Sequence, residues 1–270
     1  MVNVLEEMFG VKKPIIGMVH FPPLPGSPLY DSKGGMKKIM DVTLRDTEAL
    51  LEAGFDGVSF SNEGDRPYLA NVPMVTVAAM SVLISEATKA VERPFGLSVL
   101  ADPEAAISIG TAVRANFVRI FLSWVYVGDW GIVDPDAGKL QRLKTSISGE
   151  FKVFANISGH TEPLGGRRLE DIARGAVKFG LADAVCLAGT TAGSEIPEQD
   201  LIGARKGSVG RPVIIGTGTT IDNVKKMLTL GDGIIMGTSV KVDGDTFKPV
   251  DPKRAKEFMD KAKFVREKLP

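Results

Sequence analysis

Short apolar, β-branched runs alternate with helically patterned segments along the whole chain. Residues 15–21 read as the first strand, and a proline-rich loop follows. Residues 36–53 read as a helix, with Met36, Ile39, Met40, Leu50 and Leu51 at helical spacing and Gly54 to stop it. Further strands are predicted at 57–60, 95–100, 117–122, 152–157 and 184–187. Helices are predicted at 73–91, from Pro103 at its favoured first-turn position, near 138–147, and at 168–179, 198–206 and 253–267.

Near the C-terminus the pattern repeats itself. Residues 212–220 (PVIIGTGTT) and 233–241 (GIIMGTSVK) each run from an apolar strand into glycine and hydroxyl residues, with a predicted helix at 221–230 between them. These are strands seven and eight. Eight strands with eight crossovers and no composition break imply a parallel sheet covered on both faces. Such a pattern over roughly 250 residues predicts an α/β fold, a (β/α)8 TIM barrel as a single domain. Residues 1–13 would be a lead-in and 242–270 would hold a closing helix. A doubly wound sheet competes, but Pro22–Pro28 stands where its glycine fingerprint is expected.

Composition narrows the function. The chain has 270 residues with 33 basic and 33 acidic side chains, so no net field draws nucleic acid or an anionic membrane. The lone Cys186 excludes an intramolecular disulfide and suits a reducing compartment. No apolar run has signal-peptide character or membrane-spanning length, and a cytoplasmic location follows as the expectation.

In a barrel the loops after the strands form the active face. The polar residues there are His20, Asn62 and Glu63, Asp102, Ser123 and Asp129, Asn156, Ser158 and His160, and Thr190 and Thr191. His20 and His160 are the chain's two histidines and suit proton transfer near neutral pH. Asp102, before Pro103, is equally an N-cap. No local ligand spacing supports a metal; magnesium on carboxylates and phosphate is the reasonable form one would take. The two glycine loops, Gly216, Thr217, Gly218 and Thr219 with Gly237, Thr238 and Ser239, would cradle a phosphate on backbone amides. Cys186 reads as a small buried residue. The loop at 123–135, with Trp124, Tyr126 and Trp130, reads as a lid or as a subunit contact in a homo-oligomer.

Residues 14–28 (PIIGMVHFPPLPGSP) resemble the opening signature of the BtpA/SgcQ family. The resemblance runs on through Gly54-Phe55-Asp56-Gly57, Asn62 with Gly64-Asp65, and residues 214–241. It implies a TIM barrel of the ribulose-phosphate-binding type, with roles ranging from photosystem I biogenesis in one member to sugar- or nucleoside-related ones in others. By position His20, Asn62 and both glycine loops fit the pattern. Ser61 stands where members often carry Glu, and Ser158-Gly159-His160 lacks the Lys that tends to precede this His in relatives. The expectation is an enzyme acting on a small phosphorylated metabolite by isomerisation, aldol-type cleavage or N-glycosidic cleavage. The alternative is a binding or assembly factor that keeps the cradle.

Overall fold

Eight parallel strands close on themselves in a computed structural model that describes residues 3–189 and 194–269. Strands β1 (Ile15–His20), β2 (Gly57–Ser61), β3 (Phe95–Ser98) and β4 (Phe117–Phe121) come first. The next two, β5 (Tyr126–Gly128) and β6 (Gly131–Val133), form a hairpin outside the barrel. The chain returns in β7 (Lys152–Asn156), leaves again in β8 (Thr161–Pro163), and completes the barrel with β9 (Ala184–Leu187), β10 (Val213–Ile215) and β11 (Gly233–Met236). The closed order is β1-β11-β10-β9-β7-β4-β3-β2. The α/β TIM barrel expected from the pattern is the fold observed.

Helices α1 (Val4–Phe9), α2 (Gly35–Ala53), α3 (Met74–Ala87), α4 (Pro103–Ala112), α5 (Ala137–Ser146), α6 (Leu169–Lys178), α7 (Glu198–Gly207), α8 (Val224–Leu230) and α9 (Pro252–Arg266) surround it. Two predicted helices are shorter than the pattern suggests. The third ends at Ala87, where Thr88 turns its hydroxyl onto the Ile84 carbonyl at 2.7 Å. The eighth starts at Val224, because Asn223 holds the preceding turn: its Oδ1 accepts from Thr220 N and its Nδ2 donates to Gly218 O, both at 2.8 Å.

The lead-in is not a simple tail. Leu5 and Phe9 of α1 enter the bottom of the barrel and meet Ile16, Phe117, Phe154, Ile214 and Ile235, all buried on the inner face. Phe117 stacks on Phe154 with centroids 4.6 Å apart, and Phe9 lies 6.0 Å from Phe117. A ring of that size fits only because Gly96, the inward residue beside it, has no side chain. The strands' other faces pack under the helices.

At the opposite end the chain after β11 is anchored by a buried pair. Lys241 Nζ donates to Asp46 Oδ2 of α2 at 3.2 Å, and Val250 N donates to the same oxygen at 3.2 Å. Both side chains are essentially unexposed. Burial lowers the lysine's pKa, and the nearby carboxylate opposes that shift.

Gly96→Ala places a methyl inside the van der Waals shell of the Phe117 ring, and a destabilisation of about 1–3 kcal/mol is expected in urea unfolding. Adding Phe117→Leu should recover much of it; no recovery would mean the stack does not set this position. Asp46→Ala leaves the lysine charge buried alone and should cost about 3–5 kcal/mol in the same assay. The paired Asp46→Leu/Lys241→Met change should cost less than the single one.

Candidate functional site

The ends of β1, β2, β4, β7, β10 and β11 surround a cavity of about 250 Å³. Into it face His20, Glu63 and His160, residues 216–220 after β10, and Gly237, Thr238 and Ser239 after β11. The two repeated loops therefore share one cavity with both histidines.

Their hydroxyls mostly hold the loops in shape. Ser239 Oγ donates to Thr219 O at 2.8 Å, tying one loop to the other. Thr217 Oγ1 accepts from Gly189 N at 2.8 Å, and Thr238 Oγ1 lies 2.7 Å from Thr246 Oγ1. Thr219 differs: its Oγ1 is buried with no hydrogen-bond partner. Among amides, Gly216 N is spent on Leu187 O and Thr220 N on Asn223. The 3₁₀ turn at Thr238–Val240 has first amides with no acceptor ahead of them in the turn. Gly218 sits at φ 74°, a left-handed conformation that explains the glycine. The helix expected to begin at residue 221 does not serve this loop; its turn does.

His20 lies against the second loop. A Cβ on Gly237 would stand 2.9 Å from its Cε1 and 3.2 Å from its Nε2, so glycine is what admits the ring. Its Nδ1 is 3.3 Å from Thr246 O. A carbonyl only accepts, so Nδ1 carries the proton and Nε2 keeps its lone pair. Burial, with the positive charge of Lys241 nearby, pushes the His20 pKa down to about 3. His160 is also lowered, by burial and then by Arg119. Glu63 is raised by burial, against the opposing pull of Arg119, and Tyr68 donates to its backbone carbonyl at 3.0 Å.

Not every strand-end residue reaches the cavity. Asn62 is buried, its Oδ1 accepting from Leu100 N at 2.9 Å to bind β2 to the end of β3. Asp102 caps α4 through Ala105 N at 2.9 Å and holds Val72 N at 2.8 Å on its other oxygen. Neither lines the cavity: their oxygens accept from backbone amides, and Asn62 also bonds to the Asp65 side chain. Ser158 bonds to Ala188 O at 3.1 Å, and Asp129 is exposed at the tip of the β5–β6 hairpin. Thr190 and Thr191 lie outside the described residues. Cys186 is buried on the inner face, its thiol pushed up to about 12.

Several contributors carry no strand-end signal. Arg119 in β4 points inward from the middle of a strand, and its charge within an otherwise apolar FVRIF run is the clue that sequence reading could have used. Arg254, in the first turn of α9, lines the rim and donates to Ser239 O at 3.1 Å. Thr246 comes from the segment between β11 and α9. The β5–β6 hairpin pairs with β8 and sets Trp130 between Tyr68 and His160, at centroid distances of 5.0 and 6.0 Å. Among the described residues no three His, Cys, Asp or Glu side chains converge as a metal centre would need, and no helix is long and apolar enough to cross a membrane.

Two solved structures share this architecture. The (S)-3-O-geranylgeranylglyceryl phosphate synthase of Thermoplasma acidophilum, solved with its substrate sn-glycerol-1-phosphate, superposes with a TM-score of 0.60 at 15% identity, over 98% of this chain and 100% of that one. Phosphoribosylanthranilate isomerase of Pyrococcus furiosus gives 0.55 at 14% identity, over 93% and 99%. At such identities the likeness establishes the fold alone. Sequence relatives are nearer. The sgc region protein SgcQ of Escherichia coli is 34% identical over 97% of this chain and 98% of its own length. The photosystem I biogenesis protein BtpA of Synechocystis is 30% identical over 95% and 90%. The BtpA family model matches residues 11–264. With its opening signature, its barrel and its paired glycine loops, the chain belongs to the BtpA family.

Proposed function

We propose that the protein is an enzyme acting on a small phosphorylated metabolite, of the sugar-phosphate or nucleotide-derived class, with the phosphate held between the loops after β10 and β11. The observation that carries the reading is the Thr219 hydroxyl, buried without a partner where the two loops meet in one cavity. A buried hydroxyl without a partner is costly, and a phosphate oxygen would satisfy it. Amides of the glycine loops would bind the remaining oxygens, and Arg254 at the rim would add charge. The phosphate-handling barrels of similar architecture support the same reading.

Proton handling falls to the histidines and Glu63. Neutral His20, its Nδ1–H directed at Thr246 O, would offer Nε2 as a base toward a ligand beside Gly237. Glu63, its pKa raised by burial, and His160 would complete the set. That pairing suits isomerisation or cleavage by general acid and base. The reading invokes no metal: Glu63 is the carboxylate that lines this cavity among the described residues, and Arg254 at its rim supplies positive charge. A second reading, a binding or assembly factor without turnover, draws on Asn62 and Asp102 being spent on backbone contacts.

A thermal-shift screen of sugar phosphates and nucleotides tests the cradle. Wild type should be stabilised, Gly218→Asp should lose the response, and Thr219→Val should weaken binding about tenfold with little effect on folding. If no phosphorylated compound shifts the wild type, the cradle reading fails. For any hit that turns over, His20→Gln should abolish the reaction; unchanged turnover would remove His20 from the chemistry.

The depressed His20 pKa also has a sign. The unfolded chain takes up a proton near 6.5 while the folded imidazole waits until about 3, so His20 contributes stability above pH ~6.5 that is lost as pH falls toward 3. Proton NMR should show no titration of this ring between about pH 5 and 8. The acid-side loss of stability should be shallower in His20→Gln.

A further inference from the structure

The inner face of the barrel carries a polar band above its aromatic floor. The ladders set His20, Ser61 and Ser98 in one row across β1, β2 and β3, and Ser59 faces inward one layer below Ser61. On β4 the inward position after Phe117 is Arg119, and Ser98 and Arg119 border the same small recess. Ser59, Ser61 and Ser98 are 1%, 1% and 3% exposed. None of their hydroxyls finds a hydrogen-bond partner, and neither does the buried Nε of Arg119.

Among the described residues no carboxylate lies within ion-pair distance of Arg119, although Glu63 is near enough to feel its charge. A Cβ built on Gly216 would stand 3.6 Å from Arg119 Nη1, so the guanidinium reaches across the interior to a point beneath the first cradle loop. Arg119 is half-buried, and its buried Nε is costly unless an opposite charge or a hydrogen bond replaces the water it lost. The planar guanidinium fork matches the two oxygens of an oxyanion.

We infer that Arg119, on the floor of the cavity below the cradle and backed by the serine band, is a second oxyanion subsite that takes an anionic group at the far end of the phosphorylated ligand. The substrate class is then a phosphorylated acid or a bisphosphate, not a neutral sugar monophosphate. The inference rests on the cradle reading, since it needs the phosphate seated between the two glycine loops.

Calorimetric titration of the purified protein with inorganic phosphate, glycerol phosphate, phosphoglycerate and propanediol bisphosphate separates the two ideas. Wild type should bind phosphoglycerate or the bisphosphate roughly tenfold more tightly than glycerol phosphate, and whichever is favoured names the deep oxyanion as carboxylate or phosphate. In Arg119→Met that preference should vanish while affinity for inorganic phosphate stays within about twofold. Should that variant not fold, Arg119→Lys, which keeps the charge and loses the fork, should reduce the preference in the same way. Equal affinity for mono- and dianionic ligands in wild type overturns the subsite and leaves the cradle standing. Parallel loss of inorganic phosphate binding on Arg119→Met also overturns it, because Arg119 would then belong to the phosphate grip. If no phosphate compound binds wild type, cradle and subsite fall together.

Discussion

A buried carboxylate in α2, Asp46, holds the last stretch of the chain to the barrel. Its oxygens receive Lys241 Nζ and Val250 N from the segment after β11, and Arg45 closes on it from the surface at 3.0 Å. That segment carries Thr246, which fixes the tautomer of His20, and Thr246 also pairs with Thr238 of the second glycine loop. A short distance on, Asp251 caps α9 and places Arg254 at the cavity rim. One desolvated ion pair thus underlies the orientation of several groups around the site. Its worth lies in geometry: a buried pair adds little net stability over an apolar substitute, but breaking it strands a charge.

The barrel was legible because its signals are local. Most strands are short apolar runs stopped by Gly, Pro or polar residues, and most helices show their own spacing, so the alternation survives without knowledge of contacts. What eluded the pattern depends on distant partners. The six residues of α1 make sense only as a plug under Phe117 and Phe154, rings more than a hundred positions away. Strands β5, β6 and β8 have three residues each, too few for an alternation to register. They hold one another across a long excursion from the barrel.

Within the site, the repeated glycine loops and both histidines could be found because strand ends are predictable places. Asn62 and Asp102 occupy such places too, yet their polar atoms satisfy amides at the junctions between units. Chain position alone cannot separate a side chain that caps from one that faces the mouth. Arg119 shows the converse. It sits within a strand, where a single charge among apolar residues marks the inward face of a barrel as polar at that level.

The helix at the base gives the molecule the form of a cup. With Leu5 and Phe9 filling the lower end, the interior has no passage through it. Whatever reaches the level of Arg119 enters and leaves by the same rim, past the glycine loops, Thr246 and Arg254. Traffic in such a vessel is last in, first out. A group seated deep must arrive before the one that settles above it, and the upper one must lift before the lower can go. Residence time is therefore set in part at the rim, where the glycine loops and Arg254 border the way out.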